Sequence, residues 1–178
     1  MADRHAPTLI AHQIRSPNFG GGMRKALPLP GRDLLVVVVE TGLDRGEDGI
    51  KPIWIMNNQV RGNPIPISTR PPPRDRDDHA VGGHFGRYNI HENHTGRFVS
   101  EALIFATDQN AGVRIYDIRD PSRPAAVGAC VPAAPAPMVG PRPNRAAVRQ
   151  SAEVFGDAQG LVDRTKFTAG LPIIAFPG

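Results

Sequence analysis

Cysteine and long apolar runs are nearly absent from this chain. Cys130 is the single cysteine among 178 residues, so no disulfide forms within the chain. No apolar run reaches the roughly 18 residues that a transmembrane helix needs. The segment Met1 to Pro7 also lacks the apolar stretch of a secretory signal. We therefore expect no membrane association and, as the default, a cytoplasmic location.

Lysine is scarce as well, since 18 of the 21 basic residues are arginine. The formal net charge is +4, but the arginines are mixed with acidic residues, as in the run from Arg74 to Asp78. No basic cluster is interleaved with aromatic residues, which is the pattern of a surface that stacks nucleic-acid bases. We do not expect nucleic acid to be a partner.

The common catalytic motifs are missing too. The sequence has no Gly-x-Ser-x-Gly elbow, no phosphate-binding loop and no dinucleotide fingerprint. Cys130 has no histidine close to it in sequence that would activate it as a nucleophile. Catalytic residues therefore stay unknown, and whether the chain is an enzyme is left open.

The chain does contain a repeated strand–turn–strand pattern. In the clearest copy, two apolar strands flank the turn Asp108 to Gly112. Aligning Ile53 with Arg114, and Gly112 with Gly170, spaces the copies almost evenly along the chain. Repeats of several tens of residues, made of strands and turns, are typical of propeller blades or a related β-array. The predicted hairpins span residues 34–56, 103–118 and 161–176.

The segments between the hairpins are rich in proline. The runs Arg70 to Pro73 and Val131 to Pro137 lie in predicted loops over residues 61–83 and 131–149. By contrast, Leu34 to Val39 is continuously apolar and β-branched, which predicts a strand buried on both faces. We expect one all-β domain over residues 1–178.

These segments resemble the LVIVD-repeat β-propeller proteins of bacteria, and the resemblance spans nearly the whole chain. The middle block is the most specific part. The chain departs from the family's usual residues at four positions. It has Arg24 and Tyr88 in place of histidines, Val39 in place of an acidic residue, and Asp108 in place of a tyrosine. The resemblance implies a β-propeller in a family whose biochemical role is largely uncharacterised. It rests on the stretches Gly20–Val37, Gly82–Asn93, Leu103–Pro121 and Ala169–Leu171.

The chain looks like the C-terminal half of such a protein, which implies a partial propeller of about three blades. Three blades do not close a ring, and each uncovered blade face is apolar. We therefore expect self-association, or pairing with a partner that supplies the missing upstream half. The third hairpin departs from the apolar strand pattern, because Val162 to Lys166 carries three charged residues.

One polar cluster suggests an alternative function. His84, His91, Glu92 and His94 offer imidazole and carboxylate groups that suit a transition metal, with Glu40 on a neighbouring strand. On a strand, His91 and Glu92 would point to opposite faces, so only a loop would let them converge. The competing interpretation is that these residues bond to backbone groups in a loop between blades. We expect an uncharacterised, non-catalytic binding or assembly module; the alternative is a metal-dependent enzyme.

Overall fold

A computed structural model describes most of the chain. It has ten β-strands and no α-helix within those residues, so the all-β prediction is confirmed. In this part of the chain no helix is long and apolar enough to cross a membrane. The described residues are 6–13, 22–49, 51–74, 76–136, 147–166 and 169–176.

The strands form three antiparallel sheets, none of which closes on itself. The first sheet has the order β1-β2-β3-β4, with β1 Met23–Leu29, β2 Leu34–Val39, β3 Ile53–Asn57 and β4 Ile65–Arg70. The second has the order β5-β6-β7, with β5 Leu103–Thr107, β6 Val113–Asp117 and β7 Ala125–Cys130. The third has the order β10-β9-β8, with β8 Ser151–Gly156, β9 Leu161–Lys166 and β10 Ile173–Ala175. A short 3-10 turn, Pro30–Arg32, connects β1 to β2.

An irregular segment, residues 84–91, extends the second sheet. The Tyr88 amide donates to the Thr107 carbonyl (3.0 Å), and the His91 amide donates to the Phe105 carbonyl (2.9 Å). Ile90 forms an antiparallel bridge with Ala106. This segment therefore pairs with β5 of the second sheet in the place that β1 holds beside β2 in the first sheet.

The first two sheets share a register that includes a bulge. The pairing shifts between Ile55 and Met56 in β3, and between Ile115 and Tyr116 in β6. Matching the two bulges aligns Ile55 with Ile115. The predicted match of Ile53 with Arg114 is therefore wrong by one residue, because sequence similarity alone did not reveal the bulge that fixes the register.

The third sheet matches the second in the predicted register, in which Gly112 aligns with Gly170. The Asp108 amide donates to the Gly112 carbonyl (2.8 Å), and the Lys166 amide donates to the Gly170 carbonyl (3.0 Å). The pair Phe105–Ile115 in the second sheet corresponds to the pair Asp163–Ile173 in the third. Positions in the two hairpins can therefore be compared one by one.

The predicted loop over residues 61–83 is wrong in part, because β4 lies within it. Pro66 pairs with Met56 beside the bulge, and β4 is an edge strand. Edges and bulges are where a strand tolerates proline. The described parts of the predicted loop 131–149 contain no strand. Residues 137–146 of that loop lie outside the described part of the chain.

The core consists of two layers of apolar side chains on either side of the second sheet. Ile104, Ala106 and Tyr116 pack against the first sheet, while Phe105 and Ile115 pack against the third. This alternation follows from the two-residue period of a strand. Each fully buried large side chain contributes about 1.5–3 kcal/mol through its removal from water. The second sheet is thus covered on both faces.

Candidate functional site

Five polar side chains link β1 of the first sheet, the irregular segment 84–91 beside β5, and β8 of the third sheet. We call them the inner-strand cluster: Arg24, Glu40, Tyr88, Asn89 and Glu153. Arg24 Nη2 donates to the Tyr88 hydroxyl (3.1 Å) and to Glu153 Oε1 (3.2 Å). The side-chain Nδ2 of Asn89 donates to the other carboxylate oxygen of Glu153, Oε2. One arginine of the first sheet therefore contacts both other sheets.

The cluster combines one cation with two carboxylates around a tyrosine. The Arg24 guanidinium lies 4.4 Å from the centre of the Tyr88 ring, and its Nε lies 4.0 Å from Glu40 Oε2. Burial raises the pKa of Tyr88, and the negative charges of Glu40 and Glu153 raise it further against the opposing effect of Arg24. Tyr88 is therefore a neutral hydrogen-bond donor beside one cation and two carboxylates.

Only part of this cluster is indicated by the sequence. The resemblance predicts histidine at the positions of Arg24 and Tyr88, so these two residues stand out although they are far apart in the chain. Nothing in the sequence points to Glu153, because it is distant from Arg24 along the chain and lies in a different sheet. The contact depends on how the sheets stack, and no local pattern encodes that.

His91 is a structural link between the second and third sheets. Its Nδ1 accepts the Gly156 amide (3.1 Å), so Nε2 carries the proton and donates to the Phe98 carbonyl (2.8 Å). The ring also packs edge-on against Phe105 and Phe155. Burial lowers the pKa of His91, outweighing its hydrogen bond to Phe98. Both ring nitrogens are engaged with backbone groups.

Glu92 and His94 lie together at the surface. His94 Nε2 is 2.6 Å from Glu92 Oε2, and Lys25 Nζ is 3.0 Å from Glu92 Oε1. The hydrogen bonds from Lys25 and His94 lower the pKa of Glu92. His84 lies apart from them and pairs with Asp44, whose Oδ1 is 3.3 Å from His84 Nε2.

The structure thus brings together only Glu92 and His94 of the four predicted metal ligands. Among the described residues, no group of three or more His, Cys, Asp or Glu side chains is arranged to hold a metal. The metal site at His84, His91, Glu92 and His94 stays a prediction, which metal analysis of the purified protein tests.

A buried ion pair lies within the second sheet, and its arginine also reaches the backbone that follows β4 of the first sheet. Arg87 is fully buried; its Nη1 donates to Asp108 and to the Tyr116 hydroxyl (2.8 Å), and its Nη2 donates to the Pro71 carbonyl (2.7 Å). Burial raises the pKa of Tyr116 to about 12 and also raises that of Asp108, against the opposing charge of Arg87. Asp108, one of the departures from the resembling family, is thus the counter-ion of Arg87.

The outer face of the third sheet, defined as Leu161, Asp163, Leu171 and Ile173, lies opposite the face that packs on the second sheet. Leu171 is 59% exposed, and Ile173 is 63% exposed. The side chains at the same positions of the second sheet, Val113 and Ile115, are 2% and 7% exposed. An exposed apolar face of this kind is typical of an interaction surface.

Comparisons with protein-family models, curated proteins and solved structures find no match to this chain.

Proposed function

We propose that this chain is a non-catalytic binding or assembly module, a partial propeller whose last sheet packs against the first sheet of a second copy. The observation that carries this proposal is the contrast between Ile115 and Ile173. These side chains hold the same position in successive repeats, yet only Ile115 is covered by a following sheet. A sheet placed on the outer face of the third sheet would cover Ile173 in the same way.

Charge argues against pairing two outer faces with each other. Asp163, in the middle of the outer face, holds in the third sheet the position that Phe105 holds in the second. In a two-fold pairing of identical faces, two such carboxylates would approach each other away from water, which is unfavourable. The partner face therefore needs a basic group.

The first sheet offers such a face. Within one copy, Val154 of the third sheet packs in the cluster that contains Phe105 of the second sheet. The residue of the first sheet that corresponds to Val154 is Ala26. Asp163 would therefore face Ala26 of a second copy, close to Arg24. A groove of about 340 Å³ runs along this face and is lined by Arg24, Lys25, Ala26, Leu35, Val37 and Met56 among others.

Two copies joined head to tail at both ends would bring six sheets into a ring. Closed assemblies of this kind satisfy every interface and leave no sheet face uncovered. The resemblance to propeller-repeat proteins supports the same arrangement, because a ring of blades buries the apolar faces of its blades.

Sedimentation equilibrium tests this proposal. The purified chain is expected to form a dimer with rising concentration, and Ile173→Lys is expected to shift it to the monomer because a charge would enter the interface. Val60→Lys is the matched control, since Val60 is 64% exposed but lies in the turn after β3. A wild-type chain that stays monomeric, or equal effects of the two substitutions, would contradict the proposal.

A further inference from the structure

A cavity of about 490 Å³ lies away from the outer face of the third sheet. One wall is the turn around Arg45 and Gly46 in the β2–β3 connection. The other wall is formed by Pro72, Pro73, Arg74, Arg76, Asp77 and His79. Phe85 lies between these two walls. The volume is within the range of about 300–1,000 Å³ that is common for small-molecule sites.

The charged side chains that line this cavity are mainly basic. Arg45, Arg74 and Arg76 contribute guanidinium groups, and Asp77 is the single carboxylate among the lining residues described. Asp77 is already engaged, because its Oδ1 lies 2.9 Å from His79 Nδ1. Within the described residues, no carboxylate forms an ion pair with Arg45 or Arg74. An anion in the cavity would therefore meet several donors of a kind that binds phosphate well.

The first wall is held in place by a buried ion pair. Lys51 is fully buried, and its Nζ donates to the Asp48 carbonyl (2.8 Å) and lies 3.3 Å from Asp48 Oδ2. Burial alone would raise the pKa of Asp48, but hydrogen bonds from the Gly42 amide and the Thr41 hydroxyl, with the charge of Lys51, lower it overall. Asp48 therefore stays ionised and fixes the turn that carries Arg45.

The second wall is anchored in the same manner. Asp78 is buried, and its Oδ1 accepts a hydrogen bond from Arg149 Nη2 (2.7 Å) and lies 3.7 Å from Arg76 Nε. The Asn110 side chain donates to the Asp78 carbonyl (3.2 Å). Both walls are thus tied to the sheets, so little conformational entropy is lost when a ligand binds.

The floor of the cavity is aromatic. The rings of His79 and Phe85 lie 5.9 Å apart at 59°. Gly46 adopts a φ of +71°, and a Cβ at this position would lie 3.6 Å from Phe85 Cδ1. The positive φ favours glycine at this position, and the turn lies beside the ring. A planar group that enters the cavity would find an apolar ring surface next to the guanidinium groups.

We propose that this cavity binds a small organic anion in which a phosphate group is joined to a planar ring, as in a nucleoside monophosphate. The phosphate would bind Arg45 and Arg74, and the ring would lie against Phe85. This site goes beyond the assembly function proposed above and does not depend on it, because none of its lining residues belongs to the outer face of the third sheet or to the groove that would receive it.

Isothermal titration calorimetry with adenosine monophosphate, adenosine and inorganic phosphate tests the proposal. The monophosphate is expected to bind more tightly than either fragment. Arg45→Gln and Arg74→Gln are each expected to weaken its binding about tenfold or more, since each removes a charge-assisted contact. Arg61→Gln and Arg123→Gln are the controls, because both arginines are exposed in turns away from the cavity. Phe85→Leu should weaken binding of the monophosphate but not of inorganic phosphate.

Three results would overturn the proposal. They are absence of monophosphate binding, equal affinity for adenosine and the monophosphate, and equal effects of the cavity and control substitutions. Thermal melts of each variant separate loss of binding from loss of folding. Titration measures ligand binding, and sedimentation measures the mass of the same protein. Failure of this site and failure of the assembly proposal are therefore seen in different measurements.

Discussion

Ile115 and Ile173 hold the same position in two successive sheets, but one is buried and the other is exposed to solvent. Their cross-strand partners differ as well, since Phe105 faces Ile115 and Asp163 faces Ile173. The second sheet is covered by the third, and in the described part of the chain no sheet covers the third. This difference is the physical basis of the proposed assembly.

Asp163 offers the sharpest test of the proposed orientation. Asp163→Lys is expected to weaken self-association, because a lysine would meet Arg24 and Lys25 of the second copy. Glu47→Lys makes the same change of charge at an exposed position of the β2–β3 connection and should have little effect. Sedimentation at two salt concentrations measures both variants. If Asp163→Lys associates as tightly as the wild type, the head-to-tail orientation is wrong.

The buried pair Arg87–Asp108 should matter for folding. Arg87→Met is expected to cost about 3–5 kcal/mol of unfolding free energy, because Asp108 would remain buried after losing the arginine that forms its ion pair. The double variant Arg87→Met/Asp108→Leu should recover most of that loss. Urea denaturation of the single and double variants measures both effects. A single variant as stable as the wild type would show that the pair contributes little to folding.

Stability should fall in mild acid because of His91. Burial lowers the pKa of His91 in the folded state, so the unfolded chain binds a proton more readily below about pH 6.5. The contribution of a neutral His91 is therefore complete above that pH and is lost as the pH falls through the folded-state pKa. Urea midpoints at pH 7.5 and 5.5 measure this loss. His91→Gln should flatten the difference, and an equally large difference in that variant would show that His91 does not cause it.

How much the sequence predicts depends on how strongly each strand is buried. The strand Leu34–Val39 is predictable because it is continuously apolar, and five of its six residues are buried. β4 and β7 are edge strands with mostly exposed side chains, and Pro66 and Gly128 within them favour a loop interpretation. Their hydrogen bonds to β3 and β6, rather than an apolar pattern, hold them in place.

The candidate site is less predictable than the strands. The histidine cluster stands out in the sequence because its residues are close together, yet His91 and His84 have different partners in the fold. Arg24 and Glu153 are far apart in the sequence and meet only because the three sheets stack. Side chains from separate repeats come together through tertiary packing, which a single sequence does not reveal.

Hydrogen exchange at increasing protein concentration tests the central claim most directly, namely that the outer face of the third sheet is an interface. Amides of residues 161–166 and 171–176 should gain protection as the concentration rises, because a second copy covers that sheet. Those of residues 103–107 and 113–117, which lie between two sheets already, should be protected equally at every concentration. If exchange of residues 161–166 and 171–176 does not depend on concentration, the claim is contradicted.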